Sequence, residues 1–188
     1  MTAVTHQLIA VTSALWLLTV FPQSPGTATA ILAVFAVMIG ALTPDLDHPS
    51  ANFFQKLLGA RIINFLFRSF SGGHRHFTHS VLGIILIGFG LKWLFESILA
   101  PAVMPSANII WIAFMAGYIS HIAADTLTDR GVPWLWPIHV HFTIPPGSKA
   151  VRITTDSIIE TLLLRSALVI VIFMLAQSRW QTVTSFFN

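Results

Sequence analysis

The sequence predicts an all-α polytopic helix bundle embedded in a membrane, and three observations carry that prediction. Hydrophobic residues make up 55% of the chain and charged ones only 9%, where a soluble domain carries roughly a quarter charged residues. The mean hydropathy, +0.78, is too high for a surface that faces water. The apolar residues also gather into long runs separated by Pro, Gly and charged segments, as spanning helices do. At 188 residues the chain reads as a single integral domain, residues 1–188.

The first run, Gln7–Phe21, closes at Pro22 and the turn-rich QSPG. It lacks the basic leader and small-residue cleavage pattern of a secretory signal, so it is expected to stay in the mature protein. The second run, Thr27–Leu42, stops at Thr43-Pro44, because the residue before a proline leaves the helical region. The segment Ser50–Ser71 places Phe53, Phe54, Leu57, Leu58, Ile62, Phe65 and Leu66 near helical spacing. Lys56, Arg61 and Arg68 punctuate the opposite face, the pattern of an interfacial amphipathic helix. The third run, Val81–Leu99, carries Lys92 and Glu96 four apart, where they can pair. After Pro101 and Pro105 come the fourth run, Ile109–Leu127, and then Thr128–Thr155. That stretch is rich in Pro, Gly and aromatics and reads as an ordered surface loop with short extended pieces. The fifth run is Ile158–Ala176, with Arg165 inside it.

About 15 residues of helix reach only roughly 23 Å against roughly 30 Å of hydrocarbon. The two short leading runs therefore leave the number open: five crossings, or four. With five, segments 43–80 and 128–157 share one side with the N-terminus. Lys56, Arg61, Arg68, Arg75, Arg130, Lys149 and Arg152 fall on that side, and only Lys92 and Arg179 on the other. The positive-inside rule makes the richer side cytoplasmic, in an inner (cytoplasmic) membrane. The basic residues form no tract, so the charge balance speaks for orientation in a bilayer and against nucleic acid. The absence of cysteine excludes disulfides, thiolate metal sites and cysteine nucleophiles.

The same topology collects the chemistry. PDLDHP (44–49) offers Asp45 and Asp47, hard oxygen donors two apart, with His48 beside them. GHRHFTHS (73–80) clusters His74, His76 and His79 around Arg75, and Thr78 can cap the helix that follows. GYISHIAAD (117–125) puts His121 and Asp125 four apart on one helix face, where Gly117, Ser120, Ala123 and Ala124 admit close neighbours. Each motif has an ordinary reading: a helix-stopping turn, a basic headgroup contact, a hydrogen bond that glues helices. Their arrival on one side favours a shared divalent cation, the partner that suits carboxylate and imidazole together. His6 and Glu160 join on weaker grounds, since a terminal His is commonly solvated and Glu in a first helical turn favours the dipole. His139 and His141 alternate as on a strand and rank low. Trp111, Trp134 and Trp136 read as interfacial anchors.

His6, PDLDHP, GHRHFTHS, SHIAAD with Gly131, LWP (135–137) and the late Glu160 together resemble the YdjM-like inner-membrane proteins, one branch of which is named LexA-regulated. The resemblance spans nearly the whole chain and implies a metal-dependent hydrolase. His76 stands at the variable position of GHRxFTHS. More distantly, the order His, Asp, His, HxxxD looks like the zinc-dependent phospholipases C and related nucleases. That likeness implies His6, Asp45 or Asp47, His79, His121, Asp125 and Glu160 as ligands of zinc, one ion or two. The chain lacks those enzymes' N-terminal Trp and a clear third-ion histidine set.

The expected function is a membrane-bound hydrolase in which metal-activated water attacks a lipid-linked phosphoester, a phospholipid or polyprenyl phosphate. Asp47, His79 and Arg75 are the expected catalytic residues, and Arg165 a further phosphate contact. The competing readings are a non-catalytic metal-binding or transport protein, and a bundle whose polar residues serve packing alone.

Overall fold

The computed structural model describes residues 1–20, 26–47, 77–138, 140–148, 152–178, 180 and 184. Five helices organise them: α1 (Ala3–Val20), α2 (Thr27–Leu42), α3 (Val81–Ile98), α4 (Met104–Thr126) and α5 (Arg165–Ser178). A 3₁₀ turn, Thr43–Asp47, follows α2, and a π-helical segment, Ile159–Leu164, runs into α5. The spans Thr27–Asp45, Val81–Ile98, Pro101–Thr126 and Ile159–Ser178 are long and apolar enough to cross a membrane, while Ala3–Leu17 is shorter. The protein is a helical membrane bundle. The amphipathic helix expected over Ser50–Ser71 lies outside the described residues.

α4 is the hub. It packs against α2, α1 and α3, and α5 closes onto α1. The α2–α4 seam is tight because glycines face it: a Cβ on Gly117 would collide with the Val37 carbonyl, and one on Gly40 with the Phe114 carbonyl. Such small-residue seams let backbones approach in lipid, where water gives no hydrophobic drive between helices. The outer surface is apolar, with Phe89, Trp93, Ile170 and Phe173 exposed. The fully buried side chains instead include His6, His79, His121, Asp125 and Glu160. Apolar outside and polar within is the order a bilayer imposes.

Two local expectations change. Ser80, not Thr78, caps α3: its Oγ accepts the Gly83 N–H at 3.1 Å. The reason is spacing, since a cap reaches the third residue after it. Lys92 does not pair with Glu96; its ammonium lies over the Trp111 ring, 5.3 Å from the centroid. Trp111 in turn donates Nε1–H to the Gly88 carbonyl at 2.8 Å, tying α4 to α3. Among the described residues of 128–155, the isolated bridges Thr128–Ile153 and Val132–Phe142 form short extended pieces, as expected.

Candidate metal centre

Successive helices alternate direction, so the start of α1, the end of α2, the start of α3 and the end of α4 meet at one end of the bundle. The 3₁₀ turn after α2 carries Asp45. The turn before α3 carries His79, and the last turns of α4 carry His121 and Asp125 on one face. His6 comes from the first turn of α1.

The geometry is regular. His79 Nε2 lies 3.7 Å from Asp45 Oδ1 and 3.9 Å from Asp125 Oδ2. His121 Nε2 lies at the same two distances from the same two oxygens. These separations exceed the roughly 2.7–3.2 Å of an N–H···O hydrogen bond. Zinc with bonds of about 2.0–2.1 Å keeps tetrahedral ligands roughly 3.3–3.4 Å apart, so the ring of donors is only slightly open. Two triads, His6–Asp45–His121 and His79–His121–Asp125, offer donor atoms close enough to hold a metal ion. Asp45 is the rim of the centre, with 29% of its side chain exposed, while the imidazoles and Asp125 are buried.

The outer contacts orient the donors. His121 Nδ1 meets the Ala41 carbonyl at 2.6 Å, and since a carbonyl can only accept, that nitrogen carries the proton. The other nitrogen, buried Nε2, makes no hydrogen bond among the described residues. Thr78 donates its hydroxyl to the Pro44 carbonyl at 2.9 Å and sits 3.1 Å from His79 Nδ1. With its proton spent on Pro44, the hydroxyl accepts from Nδ1–H, which turns the Nε2 lone pair of His79 inward. The His6 ring stacks on His121 at 3.6 Å with an interplanar angle of 11°, and its Nε2 lies 3.2 Å from Asp125 Oδ1. The Met1 α-amino group contacts the same oxygen at 2.7 Å.

Of the sequence candidates, His6, Asp45, His79, His121 and Asp125 come together. Glu160 does not join them. Its Oε1 accepts from the Thr2 N–H and hydroxyl at 2.7 and 3.0 Å, and its Oε2 from the Asp156 N–H at 2.7 Å. Arg165 donates to the Thr2 and Thr5 hydroxyls at 2.7 and 3.1 Å. Arg75, His48 and the Asp47 side chain lie outside the described residues. Thr78 as an outer partner was missed by sequence reasoning; the Pro44 and His79 motifs, remote in sequence, hold no signal that they touch.

The family model of the YdjM inner membrane proteins matches residues 1–186. The chain belongs to that family. It is 38% identical over 112 residues to the inner membrane protein YdjM of Escherichia coli, and equally to that of Shigella flexneri. Each match covers 58% of this chain and 52% of the relative, so the match spans about half the length of these relatives. An uncharacterized Bacillus subtilis protein, YvsG, is 26% identical over 137 residues, covering 72% of this chain and 76% of its own. No solved structure matches the chain.

Proposed function

We propose that this protein is a metal-dependent hydrolase of the inner membrane that acts on a lipid-linked phosphoester. One observation carries the reading: two imidazole Nε2 atoms share the same two carboxylate neighbours, each nitrogen 3.7 and 3.9 Å from the two oxygens. Lone pairs turned toward carboxylates repel unless a cation lies between them, and mixed nitrogen and oxygen donors suit zinc. His79, His121 and Asp125 are the buried ligands. Asp45, at the exposed rim, stands where substrate and water arrive and shares the handling of the water proton with Asp47. A bound zinc would supply Lewis acidity and a water of pKa near about 7. Arg75, from the GHRHFTHS segment, neutralises charge on the phosphoryl oxygens.

Lipid is the substrate class that fits the surroundings. The loop after α4 exposes Leu135, Ile138, Val140, Phe142 and Ile144 beside this end of the bundle. Trp134 anchors that loop by donating Nε1–H to Thr126 Oγ1 at 3.0 Å, next to Asp125. The Lys/Arg excess of the connecting segments orients this end toward the cytoplasm.

The test is metal analysis and turnover of protein purified in detergent, with phosphate release followed from a panel of phospholipids and polyprenyl phosphates. His121→Ala is expected to lose metal and hydrolysis together. Unchanged metal content in His121→Ala would sink the reading. Metal loss with an inactive parent would favour the non-catalytic, metal-binding alternative.

A further inference from the structure

The two candidate triads share a residue that cannot serve both. His6–Asp45–His121 and His79–His121–Asp125 each require a nitrogen of His121. Its Nδ1 is committed, as a donor, to the Ala41 carbonyl at 2.6 Å. One lone pair remains, on Nε2, and one lone pair ligates one ion.

The choice between the triads follows from the remaining contacts. His121 Nε2 points at Asp45 Oδ1 and Asp125 Oδ2, the same two atoms that His79 Nε2 approaches. The His79 ring is set by Thr78, whose hydroxyl is itself held by Pro44 in the turn that carries Asp45. His6 is disposed differently. Its ring lies flat on the His121 ring, 3.6 Å between centroids and 11° between planes, so the two rings' lone pairs lie in near-parallel planes rather than converging head-on. Its Nε2 reaches the other oxygen of Asp125, Oδ1, at 3.2 Å. That contact makes no hydrogen bond, yet it puts the His6 nitrogen on the oxygen that the other two imidazoles do not approach, outside the set that faces Oδ2.

We infer that the centre takes one divalent ion, held by His79, His121 and Asp125 with Asp45 at its rim, and that His6 is a positioning residue outside the coordination sphere. This rests on the metal-dependent reading above and narrows it from one or two ions to one. It also removes His6 from the ligand set.

The experiment uses the full chain in detergent, loaded with zinc for stoichiometry and with cobalt(II) for its ligand-field spectrum. One ion per chain is expected in the parent. His6→Ala and His6→Gln should still reach one ion at saturation, with affinity lowered about 10–100-fold in the alanine variant and less in the glutamine one. The cobalt spectrum should be unchanged in His6→Gln and altered in His79→Gln. Two ions per chain in the parent, falling to one without His6, would overturn the inference while leaving the metal-dependent reading intact. A cobalt spectrum changed by His6→Gln would overturn it as well. No bound metal in the parent would overturn both.

Discussion

Two buried carboxylates flank the first turn of α1, and the bundle treats them in opposite ways. Glu160 is enclosed by donors: the Thr2 and Asp156 amides and the Thr2 hydroxyl all point at it. Asp156 sits at φ 64, a left-handed position that Asp tolerates, and so turns its N–H back toward Glu160. Asp125 gives one oxygen, Oδ1, to the Met1 ammonium at 2.7 Å, while its other, Oδ2, lies 3.9 Å from two imidazole nitrogens whose rings are locked by Ala41 and Thr78. A carboxylate ringed by N–H groups is complete as a piece of structure. One whose second oxygen is turned toward imidazole lone pairs is arranged for a cation on that side. One contacts Met1 and the other Thr2, neighbouring residues, so the difference is chemical rather than positional.

The largest expected effect tests the Asp125 half of this contrast. Asp125→Asn keeps the shape but halves the oxygen donors and removes the charge, and bound metal should fall from stoichiometric to undetectable in purified protein. Retention of metal by this variant would erase the distinction between the two carboxylates.

Glu160→Ala is the next largest and should fail differently. It removes the acceptor of the Thr2 and Asp156 amides, the first partly buried and the second on an exposed residue, at a cost of about 0.5–1.5 kcal/mol for each bond lost. Unfolding in denaturant should register that loss, while metal stoichiometry at saturation stays that of the parent. Loss of the ion with no loss of stability would place Glu160 in the coordination sphere after all.

The smallest effect sharpens the picture of the locked imidazoles. Thr78→Val removes the hydroxyl that links Pro44 to His79 and keeps the volume. Metal affinity should weaken about tenfold, the low end for an outer contact, and Thr78→Ser should restore it. Equal affinity in all three proteins would show that the His79 tautomer needs no help.

Much of the architecture was legible in the chain. The α2 run ended at Thr43-Pro44 and the α3 run opened at Val81, as the helices do. The i, i+4 placement of His121 and Asp125 put both on one face of α4. Less visible were the outer contacts. Thr78 read as a helix cap, because a Thr before an apolar run usually is one; the fold spends it on Pro44, remote in sequence, and leaves capping to Ser80. Lys92 and Glu96 matched the spacing of a salt bridge, yet in an apolar exterior the ammonium settles on the nearest ring.

The sequence by itself determined that this is a membrane bundle with its polar motifs at one end, because hydropathy and helix direction are local properties that add along the chain. It also supplied donor types, since carboxylate and imidazole can be read without coordinates. Only the tertiary structure decided which donors meet. His6 and Glu160 looked alike in the sequence, weak candidates near the ends of apolar runs. The packing of α1 between α4 and α5 laid His6 on His121 and turned Glu160 toward the Thr2 amide. Tautomers were decided there too: the proton on His121 is set by the carbonyl of Ala41, a residue on another helix.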